Sequence, residues 1–267
     1  MQASRAVSVR DIQDRKGKEP IVVVTAYDVL FARLVDQAGV DVVLVGDSVG
    51  NVVAGFSSTL PVTLEHMIYH GAAVCRGVSH ALVVVDMPFL TYQVSAATAL
   101  VNAGRLVAET GAQAVKLEGG SERIAATVQR LVEAGIPVMG HLGFTPQSVN
   151  AIGVRVQGRE ESDEQRLLAE AKRLEQAGAF AVVLELIPAA LARRITESVA
   201  IPTIGIGAGV GCDGQVLVLP DLLGLNDGFA PKFLKRYANL SDTVRDAVRT
   251  FGDDVKQRRY PSQDQSF

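Results

Sequence analysis

Eight short apolar runs, rich in β-branched residues, recur along this chain and constrain its fold more than any other feature. They cover residues 21–25, 42–46, 82–86, 114–118, 137–140, 181–185, 202–206 and 215–219. Runs this short and this uniformly apolar are typical of strands that are covered on both faces, as in a parallel sheet. Because parallel strands cannot be joined by tight hairpins, the chain must also supply crossover connections between them.

Segments with helical spacing lie between most of these runs. They cover residues 29–38, 64–76, 96–110, 121–134, 163–177 and 188–198. Several stop at a glycine, which is a common C-terminal signal of helices. Only residues 208–214 separate the last two runs, and that connection is too short for a full crossover helix.

Eight strand and helix units in about 250 residues match the size of a (β/α)₈ barrel. An open doubly wound sheet would bury the same runs, but the count of eight and the polar residues at many strand ends favour closure. We predict an α/β chain with a single (β/α)₈ TIM barrel domain over residues 1–267, a core at about 20–225, and helical extensions at both termini. Residues 7–18 would cap the barrel bottom or exchange onto a partner, and helix 241–259 would pack on the barrel or on a neighbouring subunit.

Composition excludes several functional classes. Hydrophobic residues make up 48% of the 267 residues, which is typical of a folded core rather than of disorder. A net charge of −3 provides no basic field for nucleic acid, so we expect small-molecule partners. Cys75 and Cys212 are too far apart to indicate a disulfide framework or a zinc site. With no apolar leader and no membrane-spanning run, we expect a cytoplasmic protein that does not bind membranes.

Three acids stand at the ends of successive predicted strands: Asp47, Asp86 and Glu118. Neighbouring strand ends lie about 4.8 Å apart, so these carboxylates would crowd one rim and raise each other's pKa. A hard divalent cation relieves the repulsion, and oxygen-only ligands favour Mg²⁺. The alternative is that each acid caps the next helix or pairs with a surface lysine. Three acids on consecutive strands favour the metal.

Two further charged residues occupy the predicted strands. Lys116 alternates with Glu118, so it would face the interior beneath that acid and hold a substrate carboxylate, or else form a structural ion pair. Glu185 ends the sixth run among apolar residues and lies across the barrel from the acids. It is placed to act as a proton acceptor rather than as a metal ligand, although it could instead cap the helix that begins near Pro188.

His141 follows the fifth predicted strand and stands between Gly140 and Gly143. An imidazole at a barrel mouth can donate a hydrogen bond to a substrate. We expect the two glycines to let the backbone approach a ligand.

The motifs together, in their order along nearly the whole chain, resemble those of the ketopantoate hydroxymethyltransferase family. They are Thr25-Ala26-Tyr27-Asp28, Val45-Gly46-Asp47-Ser48, Asp86-Met87-Pro88-Phe89, Val115-Lys116-Leu117-Glu118-Gly119-Gly120, Gly140-His141-Leu142-Gly143, Thr145-Pro146-Gln147-Ser148, Val156-Gln157-Gly158, Leu184-Glu185, the glycine-rich segment 205–209 and Cys212-Asp213-Gly214-Gln215.

This resemblance implies a (β/α)₈ barrel, usually assembled as a homodecamer, that binds Mg²⁺ and uses 5,10-methylenetetrahydrofolate as co-substrate. The reaction would convert 3-methyl-2-oxobutanoate into 2-dehydropantoate, the first committed step of pantothenate synthesis. By motif matching, the metal ligands would be Asp47, Asp86 and Glu118. The residues that contact the 2-oxo acid would be Asp47, Ser48, Asp86 and Lys116, and the proton acceptor would be Glu185. His141 is added as a substrate contact because of its place at the end of a strand.

Two other hypotheses remain open at this point. One is a different Mg²⁺-dependent enzyme of 2-oxo acid enolates, such as a carbon–carbon lyase or a phosphonomutase, although the Cys motif typical of those barrels is missing here. The other is a noncatalytic barrel that only binds a small acid. The second hypothesis predicts that replacing Glu185 with Gln leaves all measurable chemistry unchanged.

Overall fold

The computed structural model describes residues 5–267 and divides into two compact units. The first unit ends at Val218 and contains all the strands. The second unit spans residues 219–267 and is helical. Cys75 and Cys212 are both free thiols.

Eight parallel strands close into a barrel in sequence order. They are β1 (Ile21–Thr25), β2 (Val42–Val45), β3 (Leu82–Asp86), β4 (Ala114–Glu118), β5 (Val138–Gly143), β6 (Ala181–Glu185), β7 (Thr203–Ile206) and β8 (Gly214–Leu217). Strand β1 pairs with both β2 and β8, for example through Val23 to Val42 and Val23 to Val216. This pairing confirms the (β/α)₈ barrel and excludes the open sheet.

Helices connect the strands of this first unit. They are α1 (Val9–Asp14), α2 (Val29–Gln37), α3 (Val49–Val52), α4 (Leu64–Cys75), α5 (Ala96–Thr110), α6 (Glu122–Glu133), α7 (Val149–Ile152), α8 (Glu161–Gln176) and α9 (Ala189–Ser198), with a 3₁₀ turn at Pro146–Ser148. The short helices α3 and α7 were not expected. The β7–β8 connection contains no helix, as its length predicted.

Strand β5 extends further than its apolar run. The prediction ended it at Gly140, but its ladder with β6 continues through His141 to Gly143, which pairs with Glu185. His141 therefore belongs to the strand and does not follow it, because backbone pairing with β6 overrides the polarity of its side chain.

The N-terminal segment packs against the barrel of its own chain. Ile12 on α1 is fully buried in a core cluster with strand residues such as Ile21 and Val23, and Val7 and Val9 pack against that cluster. These contacts fit the capping alternative for residues 7–18, and exchange onto a partner stays a prediction.

The second unit contains α10 (Leu219–Leu222) and α11 (Leu240–Lys256). A guanidinium nitrogen of Arg236 donates to the carbonyl oxygens of Asn226, Asp227 and Phe229 and so holds the preceding loop. Helix α11 presents an exposed apolar stripe of Val244, Val248, Phe251 and Val255. Within residues 5–267, no helix has the length and apolar character needed to cross a bilayer.

Candidate active site

The carboxyl ends of β2, β3 and β4 carry three buried acids at the same end of the barrel. Asp47, Asp86 and Glu118 are 4%, 3% and 6% exposed, respectively. The backbone N–H of Asp47 donates a hydrogen bond to Oδ2 of Asp86 over 3.0 Å. The order of the strands thus brings together the residues that lie 39 positions apart in the sequence.

These acids do not cap the helices that follow their strands. Ser48 occupies the N-cap of α3, and the side chains of Ser95 and Ser121 cap α5 and α6. Pro188 is the N-cap residue of α9, so Glu185 does not cap that helix either. The capping alternative is excluded for all four acids, which leaves their carboxylates for another role.

Asp47 has an unusually high pKa. Burial is the main cause, and the negative charges of Asp86 and Glu118 raise its pKa further, to about 7. Lys116 and a hydrogen bond from Gln147 oppose this rise without cancelling it. The ionised form of Asp47 is therefore disfavoured by burial and by its two acidic neighbours.

Lys116 is the buried cation of this cluster. Its Nζ lies 2.6 Å from Oδ1 of Asp86 and both side chains are almost fully buried. Burial alone would lower the pKa of Lys116, but the charges of Asp86, Asp47 and Glu118 outweigh burial and raise it. The ammonium group consequently stays charged, and two of its three N–H donors remain for other partners.

His141 lies between two carboxylates from different strands. Its Nε2 is 3.1 Å from Oε2 of Glu185, and its Nδ1 is 3.6 Å from Oε1 of Glu118. Burial alone would lower the pKa of His141, but the two carboxylates outweigh it and raise the pKa to about 9. Neither ring nitrogen makes a well-aligned hydrogen bond within the described residues. His141 is therefore a buried cation that links the acid cluster to Glu185.

The glycines that flank His141 make room for protein rather than for a ligand, contrary to our expectation. A Cβ atom on Gly140 would lie 2.8 Å from Leu174 and 2.9 Å from Val182. A Cβ atom on Gly143 would lie 2.1 Å from the carbonyl oxygen of Glu185. Gly143 also has a φ of 94°, which side chains other than glycine rarely adopt. These glycines bring β5 close to α8 and β6.

Ser48 has a hydroxyl partner that the sequence did not indicate. Tyr27 Oη and Ser48 Oγ are 2.8 Å apart, and Nδ1 of His70 lies 2.7 Å from the carbonyl oxygen of Tyr27. Burial, together with the charges of Asp86 and Asp47, raises the pKa of Tyr27. Tyr27 therefore stays a neutral phenol that orients Ser48.

Gln147 is a central residue of the site to which the sequence analysis gave no role. Its side chain donates to Oδ2 of Asp47 over 2.9 Å, and its backbone N–H donates to Oε2 of Glu118 over 3.0 Å. The signal in the sequence was its place in the motif Thr145-Pro146-Gln147-Ser148, which the structure forms into a 3₁₀ turn shortly after a strand end.

The donor chemistry of the rim fits a hard divalent cation. The backbone of Asp47 contacts the carboxylate of Asp86, so both acids stand side by side at the rim, and the pKa of Asp47 is raised by burial and, in second place, by the charges of Asp86 and Glu118. Within the described residues, no group of three or more His, Cys, Asp and Glu side chains is arranged to hold a metal. Mg²⁺ commonly binds through one or two carboxylates plus water and substrate, so the Asp47–Asp86 pair satisfies its needs. Glu118 as a third ligand stays a prediction.

The sequence was compared with known proteins. Residues 6–263 match the family model described as ketopantoate hydroxymethyltransferase. The chain belongs to the ketopantoate hydroxymethyltransferase family. It is therefore a member of a transferase family, which confirms the resemblance of the motifs.

Relatives match this chain over nearly full length. A protein of Picosynechococcus sp. is 58% identical over 256 residues, which cover 96% of this chain and 97% of the relative. A protein of Syntrophus aciditrophicus is 54% identical over 265 residues, which cover 98% and 97%. Both are named 3-methyl-2-oxobutanoate hydroxymethyltransferase.

Solved structures share the barrel fold of this chain at low sequence identity. A putative phosphonomutase from Burkholderia cenocepacia is 16% identical with a TM-score of 0.62, and the match covers 93% of this chain and 97% of that one. A 2,3-dimethylmalate lyase is also 16% identical, with a TM-score of 0.61 and coverage of 98% and 92%. These likenesses show the fold alone, whereas the sequence relatives decide the family against the lyase and phosphonomutase hypothesis.

Proposed function

We propose that this chain transfers a hydroxymethyl group from 5,10-methylenetetrahydrofolate to 3-methyl-2-oxobutanoate, giving 2-dehydropantoate at the first committed step of pantothenate synthesis. One water is consumed, and its oxygen becomes the new hydroxyl group. The observation that carries the proposal is the 3.1 Å contact between His141 and Glu185, on the strands beyond the buried acid cluster. This contact supports the proposal because it brings Glu185 to the same end of the barrel as Asp47, Asp86 and Glu118, where we propose the base and the metal ligands.

The reaction begins at C3 of the 2-oxo acid, whose C–H bond is acidified by the adjacent carbonyl group. We assign Glu185 as the acceptor of this proton. Its side chain is 18% exposed, whereas those of Glu118 and His141 are 4% and 3% exposed, so it is the more accessible to a substrate. The methylene carbon then exchanges its bonds to N5 and N10 of the folate for one bond to the enolate carbon and one bond to the oxygen of the water. The two folate nitrogens take up the proton removed from C3 and one proton of the water.

Mg²⁺ held by Asp47 and Asp86, with Glu118 as the third predicted ligand, would supply a Lewis acid that stabilises negative charge on the oxygens of the 2-oxo acid. Lys116 offers its remaining donors to the substrate carboxylate, and the Ser48 hydroxyl contributes a neutral contact. His141, charged near neutral pH, lies 3.1 Å from Glu185, and we assign it as a hydrogen-bond donor to the substrate.

Assembly is part of the proposal. The resemblance to the family implies a homodecamer, and a chain of 28.3 kDa gives an assembly of about 283 kDa. The cytoplasmic location and the absence of nucleic-acid and membrane partners stay predictions from composition.

The decisive experiment follows deuterium exchange from solvent at C3 of 3-methyl-2-oxobutanoate by NMR, with and without Mg²⁺. We expect exchange that requires Mg²⁺ and disappears in Glu185→Gln, because the amide cannot accept the proton. Glu133→Gln, on the exposed face of α6, is the matched control and should exchange like the unsubstituted chain. Exchange that persists in Glu185→Gln would reject Glu185 as the base, and a chain without exchange under any condition would reject the proposed reaction.

A further inference from the structure

The side-chain amide of Gln147 has all its hydrogen-bonding capacity in use inside the site. Nε2 donates to Oδ2 of Asp47 at 2.9 Å and to the carbonyl oxygen of Met87 at 3.0 Å. Oε1 accepts from the hydroxyl of Tyr92 at 2.8 Å and from Nε2 of Gln93 at 3.0 Å. Two donors and two acceptor positions are the full complement of a glutamine side chain. Gln147 is 5% exposed, so water does not compete for these bonds.

The partners determine which way this amide faces. The carbonyl of Met87 and ionised Asp47 only accept hydrogen bonds, and Nε2 of Gln93 only donates. A flipped amide would set its oxygen against a carboxylate and a carbonyl. The orientation is therefore unique, and the donor edge of Gln147 points at Asp47.

The same residue also holds a second acid, by a different group. The backbone N–H of Gln147 donates to Oε2 of Glu118. The Tyr92 hydroxyl that donates to Gln147 accepts in turn from the backbone N–H of Glu118 at 3.1 Å. Gln147 thus engages one oxygen of Asp47 through its side chain and one oxygen of Glu118 through its backbone.

We propose that Gln147 is a positioning residue that presents Asp47 to the divalent cation of the site. The inference rests on the metal site of the proposed function. A neutral donor suits this place because it fixes one carboxylate oxygen without supplying a positive charge that would compete with the cation. A lysine would neutralise Asp47, and a carboxylate would repel it.

The test measures binding of Mn²⁺, as a spectroscopic substitute for Mg²⁺, by electron paramagnetic resonance on the whole chain without turnover. Gln147→Met keeps the length of the side chain and removes both donors. We expect Mn²⁺ affinity to fall about 10- to 100-fold, the usual cost of losing a partner that orients a metal ligand.

Gln113→Met is the matched control. Gln113 also uses its side-chain amide in two hydrogen bonds within the protein, accepting from the Val83 N–H at 2.8 Å and donating to the Gly111 carbonyl at 3.1 Å, but it is exposed and lies just before β4, away from the acids. We expect this substitution to affect thermal unfolding without changing Mn²⁺ affinity.

A double-mutant cycle separates positioning from general structural support. With Asp47→Ala as background, Gln147→Met should cause no further loss of Mn²⁺ affinity, because nothing is left to position. The same fold loss in both backgrounds, or an unchanged affinity in Gln147→Met alone, would overturn the inference.

A second variant and the unsubstituted chain keep the inference testable. If Gln147→Met does not fold, Gln93→Met is the variant that tests the inference, because half-buried Gln93 donates to Oε1 of Gln147 and so orients the same amide. Losing this one neutral hydrogen bond should lower Mn²⁺ affinity at least about twofold. No loss there would overturn the inference. An unsubstituted chain that binds no Mn²⁺ would instead refute the metal site of the proposed function, and the role of Gln147 with it.

Discussion

At the scale of single residues, Gly143 sets how closely β5 approaches the proposed base. The N–H of Phe144 donates to the carbonyl oxygen of Glu185 at 2.8 Å, and this bond requires the left-handed backbone at Gly143. Any side chain at this position would collide with the same carbonyl group. The position of Glu185 therefore depends on the absence of a side chain on the neighbouring strand.

We predict that Gly143→Ala lowers the free energy of unfolding by about 1–3 kcal/mol, because overpacking and backbone strain act together. Deuterium exchange at C3 of 3-methyl-2-oxobutanoate should slow because Glu185 is displaced. Urea unfolding measures the loss of stability, and the NMR assay measures the exchange rate. Gly104→Ala is the matched control: Gly104 lies within α5 with open space around its Cα, so alanine should stabilise the chain by up to about 1 kcal/mol. Equal stability of Gly143→Ala and the unsubstituted chain would contradict the prediction.

At the scale of elements, Asp213 joins three segments at the amino-terminal end of the barrel. Its carboxylate accepts from Nζ of Lys16 at 2.8 Å, from the N–H of Gly17 at 3.0 Å and from the N–H of Thr203 at 2.8 Å. Burial alone would raise the pKa of Asp213, but these donors outweigh it and lower the pKa below its ordinary value. Asp213 thus ties the segment after α1 to β7 just before β8 begins.

The lowered pKa has a consequence for acid stability. Since the folded chain favours ionised Asp213, its contribution is complete above the unfolded pKa of about 3.9 and disappears as pH falls through the lower folded value. We predict that Asp213→Asn costs about 2 kcal/mol at neutral pH and that the difference from the unsubstituted chain shrinks on acidification below about pH 4. Urea unfolding across this range measures it. Asp246→Asn is the control: Asp246 forms an exposed ion pair with Arg249, so its loss should hardly change the free energy of unfolding. A difference in unfolding free energy between Asp213→Asn and the unsubstituted chain that does not change with pH would refute the account.

At the scale of the whole molecule, we predict that the chain assembles as about ten copies. Light scattering on the purified protein should give a mass near 283 kDa rather than 28.3 kDa. A dilution series is the internal control, because assembly depends on protomer concentration. A mass of one chain at every concentration would contradict the decamer.

Much of the barrel could be predicted because each strand depends mainly on the apolar residues of its own short segment. The run at residues 82–86 is apolar up to its last residue, Asp86, and the structure makes it strand β3 with the same bounds. The placement of Asp47 and Asp86 followed from strand order alone, since parallel strands in a barrel bring their carboxyl ends to one rim. The extent of β5 did not follow, because its pairing with β6 continues past the end of the apolar run.

The sequence by itself determined the eight strands, the rim that bears the acids and, through its motifs, the family. Only the tertiary structure decided the partners within the site. Gln147 meets Asp47 across 100 positions of sequence, and His141 comes to lie between Glu118 and Glu185. The periodicity of the chain reports which face of an element is buried, whereas hydrogen-bond partners depend on distances and angles between side chains of different strands and loops, which arise only when the barrel closes.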